Sequence, residues 1–102
     1  MGPAPAATAS LEVALAHATG LLEAKPVLAE EQATEILRAV GDHPRALHVL
    51  AMARVRQGND QAAVGVLGPL ARDCPRWAQA HADLGAALSR LGRADEAVAA
   101  LR

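Results

Sequence analysis

Eight residues of this chain recur at one fixed offset. Ala46, Leu50, Ala53, Arg56, Gly58, Ala63, Val64 and Leu67 return 34 residues later as Ala80, Leu84, Ala87, Arg90, Gly92, Ala97, Val98 and Leu101. A glycine and small residues held at that period mark a helix–turn–helix unit repeated along the chain. Repeats of this kind generally serve as binding scaffolds, so the expectation is a binding protein and not an enzyme.

The chain has 102 residues, enough for one domain. It is 52% hydrophobic, yet it has no Phe or Tyr and Trp77 is its only aromatic. Its core must therefore be leucine, valine and alanine. Alanine-rich faces let helices approach closely but bury little apolar area per residue, which predicts modest stability.

The net charge is −1, so no overall field points to nucleic acid or to a membrane surface. The charges are unevenly spread. Residues 1–44 carry six acids against Lys25 and Arg38, whereas residues 45–102 carry eight arginines against five acids. Cys74 is alone, so no intrachain disulfide can form, and a reducing cytoplasm fits. No segment has the pattern of a secretion signal or the length of a membrane span.

Residues 1–9 read as a disordered Pro/Ala-rich lead-in to a domain over 10–102. Ser10 is a candidate N-cap. Leu11, Leu15, Ala18 and Leu22 follow at helical spacing, which predicts a first helix over about 10–24. Lys25-Pro26 breaks it and opens a second over about 27–40, ended by Gly41. A third helix spans about 44–57 and stops at Gly58. Asn59 caps a fourth over about 60–73. After Cys74-Pro75 a fifth spans about 76–91 and Gly92 ends it. Asp95 and Glu96 then sit in the first turn of a sixth, where the helix dipole favours acids. Three hairpins result, over about 10–40, 44–73 and 76–102. Pro69 falls inside the fourth helix and predicts a kink near 65–69.

These repeating residues resemble the tetratricopeptide repeat family. The third unit matches at Ala80, Leu84-Gly85, Leu88, Gly92, Ala97 and Leu101. The second matches at Leu50-Ala51, Gly58, Ala63, Leu67 and Pro75. The first matches only in its second helix. Two departures stand out: Leu47 and His81 replace the family's early aromatic, and Arg54 and Leu88 replace its tyrosine. The resemblance implies an all-α fold in which three antiparallel hairpins stack as a right-handed superhelix, with the last helix truncated. The stretches Ala33–Val40, His43–Leu47 and Val66–Ala71 are also similar to the amino-terminal repeats of bacterial proteins that carry a sulfotransferase domain. On that likeness the chain is the non-catalytic front of a larger enzyme.

The family's first helices line a concave groove. Carried onto this chain, the groove presents Arg45, His48, Met52 and Arg56 from the second unit, spaced to share one helix face. The third unit contributes Gln79, Asp83, Ala86 and Arg90. The expected ligand is an extended or helical peptide with an acidic group. The family's lysine/asparagine clamp for chain-terminal carboxylates is missing, since the corresponding places read His48, Met52, Ala82 and Ala86. His17, His43, His48 and His81 show no metal-ligand spacing. No nucleophile–base set and no phosphate-binding loop is recognisable, so neither catalytic residues nor a cofactor are expected. Trp77 is expected to cover the joint between the second and third hairpins. Val98 and Leu101 would pack against a following helix. The expectation is a fragment of a longer array that also self-associates, as a homodimer through the exposed final helix.

Overall fold

Proline and glycine punctuate this chain, and the helices follow the punctuation. The computed structural model describes residues 3–101. It is all-helical, with α1 at Pro3–Gly20, α2 at Pro26–Val40, α3 at Pro44–Arg56, α4 at Asp60–Asp73, α5 at Ala78–Arg90 and α6 at Ala94–Leu101. Pro26 and Pro44 open α2 and α3, where a missing N–H costs nothing and the fixed φ already suits a helix. The Asn59 side chain accepts a hydrogen bond from the Ala62 amide at 3.2 Å and caps α4.

The two turns inside the second and third hairpins are the same turn made twice. Gly58 and Gly92 have φ of 77° and 76°, a region that side chains disfavour. At the first turn, the Gly58 amide donates to the Val55 carbonyl and the Asn59 amide to the Arg54 carbonyl. At the second, the Gly92 amide donates to Ser89 and the Arg93 amide to Leu88. Both are Schellman closures, which satisfy carbonyls that the ending helix would otherwise leave bare.

Each helix packs on its chain neighbours. α2 lies against α1 and α3, α4 against α3 and α5, and α6 against α5, while α1 also touches α3. One core cluster joins Leu15 and Ala18 of α1, Ala33 and Ile36 of α2, and Ala46, Val49 and Leu50 of α3. A second joins Ala51 of α3, Ala63, Leu67 and Leu70 of α4, and Ala80 of α5. The alanines related by the repeat share environments: Ala46 and Ala80 are fully buried, as are Ala53 and Ala87, and Ala63 and Ala97 are both in the core. Alanine is the commonest residue among the buried hydrophobics described, so the helices are held by close approach and not by bulk.

Several details differ from the sequence-based expectation. The first helix starts at Pro3, inside the segment read as a lead-in, and stops at Gly20 instead of continuing to about residue 24. The turn that follows is closed by the Lys25 amide donating to the Leu21 carbonyl at 2.8 Å. The fifth helix starts at Ala78 and not at 76, because the Trp77 amide closes the linker onto the Cys74 carbonyl at 3.0 Å. α4 remains one element through Pro69. Met1, Gly2 and Arg102 lie outside the described residues, as does the packing expected of the Leu101 side chain.

Candidate binding face

α3 and α5 supply every groove position named from the sequence. α3 carries Arg45, His48, Met52 and Arg56, and α5 carries Gln79, Asp83, Ala86 and Arg90. Side-chain bonds show how these helices lie. Arg45 Nη1 donates to both carboxylate oxygens of Glu12, at 2.9 and 3.1 Å, and ties α3 to α1. His48 Nε2 lies 2.6 Å from Asp83 Oδ2 and ties α3 to α5. α3 is thus tied by side chains to both α1 and α5, and the residues of these three helices form the candidate face.

The centre of that face is a small polar network. Asp83 holds His48 through one oxygen and accepts from Gln79 Nε2 through the other, at 2.9 Å. The His48 and Asp83 side chains keep 21% and 18% of their surface exposed. The Trp77 ring packs against the His48 ring with centroids 5.1 Å apart and planes tilted by 46°. Trp77 also covers the second core cluster together with Met52 and Leu84, which places it at the joint between the second and third hairpins. Ala86 is exposed and Met52 half-buried.

The arginines that make this face basic in the sequence are all met by acids. Arg45 pairs with Glu12. Arg56 donates through Nε and Nη2 to Glu23 Oε1 at 3.2 and 2.9 Å. Arg90 pairs with Asp60 at 2.9 Å. Arg54, beside the face, lies 3.9 Å from Glu30. Glu12, Glu23, Glu30 and Asp60 were not among the sequence-derived site residues. For Glu12, Glu23 and Glu30 the signal available was the acidic first part of the chain facing an arginine-rich remainder; nothing comparable marked Asp60.

A cleft of about 600 Å³ on another side also escaped sequence reasoning. Gly65, Gly68, Pro69 and Arg72 of α4, His81, Leu84 and Leu88 of α5, and Glu96 of α6 are among its lining residues. His81 does not reach out from it freely, since its Nε2 lies 3.0 Å from the Pro75 carbonyl oxygen and fastens the α4–α5 linker. Cys74 is a free, half-buried thiol. Among the described residues, no three His, Cys, Asp or Glu side chains are grouped as metal ligands, and no helix is long and apolar enough to cross a membrane. Comparison with protein families, curated proteins and solved structures finds no match for this chain.

Proposed function

We propose that this protein is a protein–protein interaction scaffold, built in the manner of tetratricopeptide repeats as a right-handed stack of hairpins. It binds a peptide or partner protein through the face of α1, α3 and α5. The observation that carries this reading is the alignment of those helices by the Glu12–Arg45 and His48–Asp83 contacts. Packing mainly between chain neighbours and the repeated glycine turns support it. A helical face whose charges are paired and which carries a half-buried tryptophan against His48 suits a protein surface better than a small molecule. Because Arg45, Arg56 and Arg90 are already paired, the case for an acidic ligand does not carry forward.

The test is peptide selection on the immobilised chain, followed by binding to a variant with Arg45, His48 and Arg56 all changed to Ala. Loss of binding, with helical circular dichroism and thermal midpoint retained, is expected. Unchanged binding by a folded variant would remove the face as the site.

A second reading is supported by Val98 of α6, which is 52% exposed: self-association through that helix. Light scattering over a dilution series tests it. Mass that rises with concentration and falls to monomer in Val98→Glu is the expected signature. A monomer at every concentration overturns it.

A further inference from the structure

The cleft between α4, α5 and α6 has no part in the face described above. Its α5 residues His81, Leu84 and Leu88 lie about half a turn round that helix from Asp83, Ala86 and Arg90. α4 and α6 both pack on α5 and supply the rest of the lining. Gly65, Gly68 and Arg72 of α4 follow one another at helical spacing and share one side of it. The two glycines serve no packing inside the chain, because a Cβ at either would meet nothing within 4 Å among the described residues. Glycine in a helix interior weakens the helix relative to alanine, and Pro69 beside them weakens it further. At the places 30 residues earlier, α2 carries Glu35 and Arg38, paired with each other. Arg54 likewise stands one repeat before Leu88. α4 is bare where α2 is charged, and a cleft of about 600 Å³ opens there over Leu84 and Leu88. Its charge is one-sided. Of the three ionisable residues that line it, His81 is engaged at the Pro75 carbonyl oxygen and Glu96 by Arg93. Arg72 is exposed and has no acid partner among the described residues.

We infer that this cleft receives an amphipathic helix of a partner protein, with aliphatic side chains over Leu84 and Leu88 and a glutamate or aspartate paired with Arg72. Three features fit that occupant. Bare glycines let another backbone approach α4 closely. A groove bounded by helices and floored by leucines takes apolar anchors that recur one turn apart on a helix. An exposed guanidinium with no acid of its own holds a carboxylate through two parallel hydrogen bonds. The glycines also gain a reason to be there, since the helix stability they forgo serves contact with another molecule. The site stands apart from the α1–α3–α5 face and does not rest on the reading of that face.

The experiment has two arms, both on the whole chain. Thermal unfolding of Gly65→Ala and Gly68→Ala comes first. Both midpoints are expected to rise, because alanine restores helix propensity into open space. A fall would mean that the fold itself needs the glycines and would overturn the proposal. The second arm selects binders from a displayed library of helical peptides and maps them by amide shifts on the isotope-labelled chain. Peptides with aliphatic residues one turn apart and an acid one turn beyond are expected, with shifts at Gly68, Arg72, Leu84 and Leu88. Gly68→Leu, which fills the cleft, and Arg72→Glu should each weaken them by about tenfold with helical circular dichroism retained. Arg72→Glu should then favour the same peptides with the acid changed to lysine. Selected peptides that bind both variants as well as wild type would overturn the cleft as their site, and so would a library that yields none of this pattern. Shifts confined to α1, α3 and the Asp83 side of α5 would overturn it while leaving that face as a binding surface. A mass by light scattering that falls to monomer in Gly68→Leu would make a second copy the occupant and overturn the partner helix.

Discussion

Leu67 has no exposed surface and is one of the largest fully buried side chains of the chain. It sits in the second core cluster with Ala51, Ala63, Leu70 and Ala80. Truncating it leaves a cavity in that close-packed cluster, so Leu67→Ala is expected to cost about 2–5 kcal/mol. Leu28 is 41% exposed, and Leu28→Ala should cost less than about 1 kcal/mol. Urea denaturation followed by circular dichroism measures both, and equal losses would mean that Leu67 is not the anchor of that core. Small residues have the opposite vulnerability. Ala63 is completely buried where α4 meets its neighbours. Ala63→Leu is expected to lower stability by about 1–3 kcal/mol, because close-packed helices must separate to admit the extra atoms. Both sensitivities were legible in sequence, since Leu67 and Ala63 recur at the repeat offset. The role of Asp83 was only half legible. Helical spacing put it on the face with Gln79, but nothing local pairs it with His48.

Helix ends follow from short-range chemistry, and helix interiors show where that chemistry is strained. Pro69 lies inside α4 and lines the cleft with Gly65, whose carbonyl it cannot bond. Pro69→Ala restores a backbone donor at an exposed position. It is expected to raise the thermal midpoint, and an unchanged or lower midpoint would show that α4 already accommodates the ring. At the start of α6, Arg93 donates through Nε and Nη2 to the two oxygens of Glu96. That hydrogen bond, aided by the arginine charge, holds the Glu96 carboxyl below the usual carboxylate range. A lowered carboxyl stabilises the fold at pH above its unfolded value, and the contribution disappears as pH falls through the lowered one. Acid should therefore lower the protection factors of amides in α6 more than those in α4. Glu96→Gln should remove that acid dependence, and an unaltered dependence in the variant would assign it to another group.

The whole molecule is longer than a globule of its size. Its radius of gyration is 14.3 Å and its extents are 53 × 28 × 18 Å, against about 13 Å for a compact chain near this length. A row of helices that touch mainly their neighbours gives this shape, and it also distributes stability unevenly. α1, α2 and α3 share one core and α3, α4 and α5 another. Among the described residues, α6 buries only Ala97. Native-state hydrogen exchange is expected to show α6 opening first and the α3–α4 hairpin last. Uniform protection along the chain would mean a single cooperative unit.

The boundaries of α2, α3 and α4, the glycine turns and the buried alanines of the repeat were determined by the sequence itself, because they depend on groups a few residues apart. Pro26 and Pro44 start helices because the fixed φ and missing N–H of proline suit a first helical turn. Gly58 and Gly92 stop them through a backbone geometry that other residues disfavour. The recurrence of buried alanines along each helix then dictates which stripe faces inward. The meaning of the charge asymmetry was decided only by tertiary structure. Along the chain, acids in the first part and arginines in the remainder make an end-to-end dipole. In the fold, much of that asymmetry is consumed where Glu12, Glu23 and Glu30 of the first hairpin and its turn reach Arg45, Arg56 and Arg54 of α3. Long flexible side chains more than 20 residues apart in the chain have no preferred partner until packed backbones bring them within a few ångströms. That packing also leaves Asp83 facing a histidine.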